Sequence, residues 1–185
     1  MRVILASKSP RRKELLGELF ENFEIIVSEV DEELDEDCSV ISGVEILSVR
    51  KGAAVAEDNP DALVISSDTL VELDGVALGK PQDKAEAFAM LRSLSGRSHN
   101  VHTGVAIHYK GKLFSGVATS AVYFRHLSDE EIDEYVESGA PMDKAGAYGI
   151  QGEAGKFVER YDGDFDTIVG LSVRLTKELI DKATG

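Results

Sequence analysis

Residues 3–16, VILASKSPRRKELL, begin the fold with an apolar run, a serine-containing loop and a helix. The apolar residues 3–6 predict a short buried strand, and the leucines that follow have the spacing of a helix with one buried face. Ser9 is a good N-cap, and Pro10 suits the first helical position because an N–H is not needed there. The stretch therefore predicts a strand, a tight loop and an amphipathic helix.

The first turn of this helix carries three cations, Arg11, Arg12 and Lys13, although the chain has a net charge of −14. The helix dipole disfavours cations at this end, so the pattern needs a reason. A strand followed by a loop and a helix N-terminus can present N–H groups to an anion, and a bound phosphate would stabilise the cations. Alternatively, the three side chains point to solvent or pair with acidic neighbours. The Walker pattern G-x-x-x-x-G-K-[ST] is absent, so the usual nucleoside triphosphatase loop is not predicted.

The rest of the chain alternates between strand and helix patterns. We predict strands over 23–30 and 61–73, a hairpin of two long strands over 99–127, and helices over 43–58, 84–94, 128–138 and 170–183. The glycine-rich segment 139–157 is predicted to be a functional loop. Such alternation is typical of an α/β fold with a mixed sheet, and no linker indicates a sharp domain boundary.

Composition excludes several classes of protein. The chain has 185 residues, enough for one domain or for two lobes that share a core. It has no apolar run long enough to cross a membrane, and its acidity argues against binding to a nucleic-acid backbone. Cys38 is the only cysteine, so no intrachain disulfide forms and a reducing cytoplasm is the expected location.

Asp68 interrupts the apolar stretch ALVISSDTLVEL, residues 62–73. A carboxylate there is costly unless it is paired, binds a metal or lies at an exposed strand end. The alternative without a function is a strand-end aspartate that is hydrogen-bonded to Ser66 or Thr69. We favour a functional role, because polar groups in an apolar strand tend to be paired or functional.

Other polar residues fit the same chemistry. Lys80 stands beside a proline in GKPQD, Lys51 interrupts a helix rich in small residues, and Lys144 and Gln151 lie in the glycine-rich segment. Each alone reads as a surface residue. Together with Asp68 they form the set of cations and carboxylates that a metal–nucleotide site requires.

Five ordered blocks then resemble the Maf (septum formation inhibitor) family. They are ILASKSPRRKELL, VISSDTLV, GKPQD, MLRSLSGRSHNVHTGVAI and PMDKAGAYGIQG, and they cover nearly the whole chain. The resemblance implies a single Maf-like domain over residues 1–185, with an elongated, two-lobed α/β fold and a central cleft similar to inosine triphosphate pyrophosphatase. It also implies a nucleotide pyrophosphatase, which hydrolyses a nucleoside triphosphate to the monophosphate and pyrophosphate with a divalent cation (Mg, Mn or Co).

The resemblance assigns roles residue by residue. Asp68 is similar to the family's proton acceptor, and Glu32 matches an acidic position that helps to hold the metal together with Asp68. Substrate-site residues are implied at Ser7, Arg12, Lys51 and Lys80.

Three further positions bear on the substrate. The branch of the family selective for dTTP and UTP carries the residues found here as Arg11, Thr69 and Gln151, whereas the 7-methyl-GTP branch has tryptophan, glutamine and glutamate. All three therefore indicate the dTTP/UTP branch, with dTTP, UTP and a modified pyrimidine nucleotide as open choices. Gly52, where alanine is common, and the ending TIVGLS depart from the family pattern at positions that bear on base preference.

The resemblance also suggests partners and one alternative. It suggests a nucleotide substrate and a homodimer, while charge and hydropathy predict neither a nucleic-acid nor a membrane partner. The alternative is a regulator of cell division that acts by protein contact, which the family's name suggests.

Overall fold

The computed structural model describes residues 1–185 and is a mixed α/β protein. Its seven strands are β1 (Val3–Leu5), β2 (Glu24–Ile25), β3 (Leu63–Leu73), β4 (Val76–Leu78), β5 (Ser98–Tyr109), β6 (Lys112–Phe124) and β7 (Val158–Asp162). Its six α-helices are α1 (Pro10–Leu16), α2 (Val40–Asp58), α3 (Lys84–Leu94), α4 (Asp129–Glu137), α5 (Phe165–Val169) and α6 (Val173–Thr184). Short 3-10 helices cover Ala140–Asp143, Ala145–Ala147 and Glu153–Phe157.

All seven strands belong to one mixed sheet in the order β2-β1-β3-β5-β6-β7, with β4 paired to β3. β1 pairs in parallel with β2 and with β3, whereas β3–β4 and β6–β7 are antiparallel. Every residue of β1 is buried, as expected of a strand with parallel neighbours on both edges. The predicted α/β fold with a mixed sheet is confirmed.

The chain divides into two compact units. The first contains Met1–Thr69, Thr103–Ala118 and Gly170–Gly185, and the second contains Leu70–His102 and Thr119–Val169. Three of the four dividing points fall within β3, β5 and β6, so each of these strands contributes residues to both units, and the fourth follows the end of α5.

Each unit has its own apolar cluster. In the first unit, Ile4, Val55 and Val64 are at most 1% exposed and pack together. In the second, α3 and α4 pack with the sheet around fully buried residues such as Leu91 and Phe157. Burial of such side chains is the main favourable term in folding.

Side-chain caps set the helix starts, as predicted for α1 and α4. Ser9 accepts from the Arg12 amide, and Ser128 forms a capping box with Glu131. α2 begins at Val40, three residues before its predicted start, because the Ser39 side chain accepts from the Ser42 amide.

The structure differs from the local predictions in several places. The strand predicted over 23–30 is limited to β2, since the acidic residues that follow are exposed and irregular. β4 and β7 were missed because they are mostly exposed and lack an apolar alternation. The segment 139–157 contains three 3-10 helices, and the five-residue α5 is too short for its periodicity to be read. None of the helices has both the length and the apolar character that a membrane span requires.

Candidate anion site

The loop after β1 brings two serines to the first turn of α1. The Ser7 hydroxyl is buried and accepts from the Ser9 amide at 3.2 Å, while the Ser9 hydroxyl caps the helix by accepting from the Arg12 amide. These contacts close the loop between strand and helix. Arg12 on this turn is half-buried, and its side chain contacts other residues of the first unit.

Arg12 donates to three neutral acceptors. Its Nε binds the Gly170 carbonyl at 2.8 Å, its Nη1 binds Ser7 Oγ at 3.4 Å, and its Nη2 binds Thr69 Oγ1 at 3.1 Å. A guanidinium has five N–H donors, so two remain for a ligand. Because a carbonyl and two hydroxyls carry no charge, these bonds orient the guanidinium without neutralising it.

The surroundings of Arg12 are unfavourable for a cation. Burial lowers the pKa of its guanidinium, the nearby Asp68 carboxylate raises it, and the neighbouring Arg11 guanidinium lowers it again. Arg11 is half-buried on the same helical turn. Two adjacent arginines with reduced access to water would be stabilised by a bound anion, which is the role predicted for this basic helix start.

Two shared acceptors fix the Arg12 side chain. The Gly170 carbonyl also accepts from Ser67 Oγ at 3.1 Å, and Thr69 Oγ1 also bonds Thr103 Oγ1 at 3.0 Å. Gly170 has a φ of +136°, which favours glycine. Ser67, Thr103 and Gly170 were missed at the sequence level, and sequence spacing carries no signal for partners as far apart as Arg12 and Gly170.

A second charged cluster lies around Lys51. Its ammonium pairs with Asp68 Oδ1 and lies 2.9 Å from Glu32 Oε1. Asp68, on β3, is 8% exposed, whereas Glu32 lies in the exposed acidic segment. The lysine predicted to contact substrate is therefore held between the predicted proton acceptor and the predicted metal carboxylate.

The alternative role for Asp68 does not match this geometry. Ser66 Oγ donates to the Ser48 carbonyl at 2.7 Å, and Thr69 bonds Arg12 and Thr103. Asp68 is therefore the partner of Lys51 rather than of its neighbouring hydroxyls.

The donor set for a metal ion consists of two carboxylates. No group of three or more His, Cys, Asp or Glu side chains could hold a metal ion by itself. Asp68 and Glu32 are nevertheless oxygen donors around one cation, and Mg²⁺ is commonly bound by one or two carboxylates together with substrate phosphates. The residues present fit a divalent cation that binds together with a phosphate ligand.

The remaining predicted residues lie in the second unit. Lys80 and Gln151 are both exposed. The loop with Lys80 is joined to the glycine-rich segment, because the Gly146 amide donates to the Gly79 carbonyl at 3.1 Å. Lys144 is held locally by the Ala140 carbonyl and the Asp143 carboxylate. The roles of Lys80 and Gln151 stay predictions.

The position of the site in the sheet agrees with its chemistry. β1 pairs in parallel with β3 in the register Leu5↔Ile65; Ser7 follows the end of β1, whereas Asp68 lies within β3, beyond the stretch that pairs with β1. Ligands of α/β sheets bind beyond the carboxyl ends of strands. The fold and the site thus define an α/β protein with a candidate anion site beyond β1, next to two carboxylates.

The chain belongs to the Maf family: the profile for Maf-like protein matches residues 2–183. A relative from Bacillus velezensis named dTTP/UTP pyrophosphatase is 49% identical over 175 residues, covering 95% of this chain and 93% of the relative. One from Bacillus anthracis with the same name is 49% identical over 179 residues, covering 96% and 94%.

A solved structure, the Staphylococcus aureus Ham1 protein, is 17% identical with a TM-score of 0.48 and covers 67% of this chain and 72% of its own.

Proposed function

We propose that this chain is a nucleoside triphosphate pyrophosphatase that hydrolyses dTTP and UTP to the monophosphate and pyrophosphate, as a housecleaning enzyme of the nucleotide pool. The relatives named above support the substrate, at 49% identity over nearly the full length. The structural observation that carries the proposal is Arg12, a cation with neutral partners, next to a lysine between two carboxylates.

Three of the four proposed substrate-site residues, Ser7, Arg12 and Lys51, belong to the first unit. Arg12 has two N–H groups left for phosphate oxygens, and Ser7 holds one end of its guanidinium. Lys51 has three ammonium donors, of which two are directed at Asp68 and Glu32. Lys80 is a fourth substrate-site residue, and with Arg12 and Lys51 it would stabilise the charge that develops on the departing pyrophosphate.

Asp68 accepts the proton of the attacking water. The water attacks the α-phosphorus, its oxygen forms the new bond, and the bond to the bridging oxygen of the pyrophosphate breaks. Asp68 is buried on a rigid strand and held by Lys51, so its carboxylate keeps one orientation during this step.

A divalent cation, Mg, Mn or Co, is proposed as the cofactor. Asp68 and Glu32 would hold it together with phosphate oxygens. When bound, it supplies charge neutralisation and polarises the phosphorus centre.

Base selection is assigned to Arg11, Thr69 and Gln151. An amide such as that of Gln151 can pair with the donor and acceptor on a uracil or thymine edge. Thr69 bonds Arg12 directly, which links this selecting position to a phosphate ligand.

The test is a panel of nucleoside triphosphates assayed with Mg²⁺, Mn²⁺ and Co²⁺ for pyrophosphate and for orthophosphate. We expect pyrophosphate release, highest with dTTP and UTP, and a drop of about 10²–10⁴-fold in Asp68→Asn. Orthophosphate release instead would contradict attack at the α-phosphorus. Full activity of Asp68→Asn would contradict its role as the base.

The same panel addresses the regulator of cell division, which the named relatives do not favour. A chain that turns over no nucleotide would revive that alternative. A homodimer and a cytoplasmic location complete the proposal, and light scattering on the purified protein tests the former.

A further inference from the structure

Arg50 donates hydrogen bonds to the main chain on both sides of Glu32. Its Nη1 donates to the Glu33 carbonyl at 2.6 Å and to the Asp31 carbonyl at 3.2 Å. The next residue on α2, Lys51, contacts the Glu32 carboxylate at 2.9 Å. Two consecutive cations of one helix thus hold the main chain and the side chain of the same short stretch.

The stretch around Glu32 needs such a tether. Residues 26–35 form neither helix nor strand, and the sequence SEVDEELDED places like charges side by side. A local contact from the Glu33 amide to Asp31 Oδ1, at 2.9 Å, closes a turn but does not attach the segment to the fold. Segments with few buried contacts and repelling charges open at low free-energy cost.

The helix that carries Arg50 is a rigid support. α2 has 19 residues, and Val44, Leu47 and Ser48 on it are at most 5% exposed. Arg50 is half-buried, so its side chain begins from a packed backbone and reaches out to the segment. Contacts from a packed helix restrain a segment that has no regular structure of its own.

We infer that Arg50 is a positioning residue, which fixes the segment so that the Glu32 carboxylate reaches the site at Lys51 and Asp68. The inference rests on the proposed function in one respect, the role of Glu32 with the divalent cation. Arg50 itself touches neither substrate nor metal in this scheme, because the hydrogen bonds of its Nη1 go to backbone carbonyls.

The first test measures order without nucleotide. Arg50→Gln removes the guanidinium that donates to the segment. The matched control is Arg174→Gln, which removes a cation from the exposed face of α6. We expect faster amide hydrogen exchange over residues 29–36 in Arg50→Gln only. Unchanged exchange in Arg50→Gln would overturn the inference whatever the enzyme's activity.

The second test measures Mn²⁺ binding and its role in turnover. Outer residues that orient ligands typically change metal affinity by about 10–100-fold, and we expect Arg50→Gln to weaken Mn²⁺ binding without nucleotide by that factor. The Mn²⁺ concentration for half-maximal turnover should rise similarly, while kcat at saturating Mn²⁺ falls less. Arg174→Gln should match the unsubstituted protein in both.

A double-mutant cycle separates this inference from the proposed function. If Arg50 acts through Glu32, Arg50→Gln should add less than about twofold to the loss already caused by Glu32→Gln. Equal losses from Arg50→Gln in both backgrounds would overturn the inference. Full Mn²⁺ binding and turnover in Glu32→Gln would instead contradict the proposed role of Glu32, while the exchange result would still test the tether.

Discussion

At the scale of single residues, the hydrogen-bond partners of Arg12 reduce the free-energy cost of placing a cation with limited access to water. Gly170 and Thr69 each have a second hydrogen-bonding partner, Ser67 and Thr103 respectively. The guanidinium is therefore held in place by groups that do not depend on it. Neutral acceptors orient the cation and leave its charge for a ligand.

Arg12→Ala should separate binding from stability. We expect kcat/KM for dTTP to fall by at least about 100-fold, because a charge-assisted contact to phosphate is lost. The free energy of unfolding should change by no more than about 1 kcal/mol, because the partners keep other hydrogen bonds and a half-buried cation is removed. Steady-state kinetics and urea unfolding measure the two quantities.

Lys13→Ala is the control for that substitution, since Lys13 lies on the same helix and is exposed. It should leave both quantities unchanged. A loss of several kcal/mol of stability in Arg12→Ala would return the basic helix start to a structural role.

Some of the site residues could be predicted from the sequence, and others could not. Ser9, Arg12 and Asp68 could be predicted because their signals are local: a cap, a charge at a helix start and a carboxylate in an apolar strand. Gly170 and Arg50 could not, because each acts through backbone carbonyls distant in the chain. A carbonyl is present in every residue and leaves no mark on the sequence.

At the scale of elements, α2 lies in close contact with strands of the first unit at two glycines. A Cβ on Gly104 of β5 would lie 2.5 Å from the Val44 carbonyl oxygen. A Cβ on Gly52 of α2 would lie 2.4 Å from Ser66 Oγ and 2.7 Å from His108 Nδ1. Gly52, which departs from the alanine common in the family, is thus explained by the side chains that face it.

Gly104→Ala should be the more destabilising of the two glycine substitutions. The backbone of α2 cannot move away locally, whereas the groups that face Gly52 are side chains. For Gly52→Ala, overpacking of about 1–3 kcal/mol is partly offset by about 1 kcal/mol of improved helix propensity. Urea unfolding ranks the two variants.

Ser66→Ala supplies the matching control, because it removes the atom closest to the added methyl. Combined with Gly52→Ala it should recover part of the stability, while combined with Gly104→Ala it should recover none. Recovery with Gly104→Ala and none with Gly52→Ala would contradict the assignment of the Gly52 contact to the Ser66 side chain.

Elements with strong periodicity were predictable, and edge elements were not. α3 and the long strands β3, β5 and β6 carry apolar patterns that local reasoning can identify. β4 and β7 form because a neighbouring strand offers hydrogen-bonding groups, which is information from the sheet rather than from their own residues.

At the scale of the whole molecule, acidity and an anion site are compatible. A net charge of −14 repels long polyanions, while a local cluster of cations binds a small one. The two units could not be predicted from composition, since three of their four boundaries fall inside β3, β5 and β6 rather than at linkers.

The molecule's response to acid should be governed first by buried histidine. Burial lowers the pKa of His99 from 6.5 to about 4, and its Nε2 lies 2.6 Å from the Tyr148 hydroxyl in the core of the second unit. The unfolded chain therefore binds a proton near pH 6.5 that the folded chain does not accept until about pH 4. Stability is complete above pH 6.5 and is lost as the pH falls through this window.

Two other groups also have shifted pKa values, one that titrates with His99 and one that titrates at lower pH. Burial also lowers the pKa of His108, so it adds a loss of the same sign. The bond from Arg125 lowers the pKa of Glu131 from 4.5 to about 2, and its contribution is lost only below pH 4.5. Measurements at pH 7 and pH 5 therefore report on the histidines.

We expect the free energy of unfolding to be lower at pH 5 than at pH 7 by about 2 kcal/mol from His99 alone. His99→Gln should remove most of that difference, even if it lowers stability at both pH values, because glutamine does not titrate. The exposed His126→Gln should keep the difference. Urea unfolding of the three proteins at both pH values measures it, and an unchanged pH dependence in His99→Gln would contradict the assignment to His99.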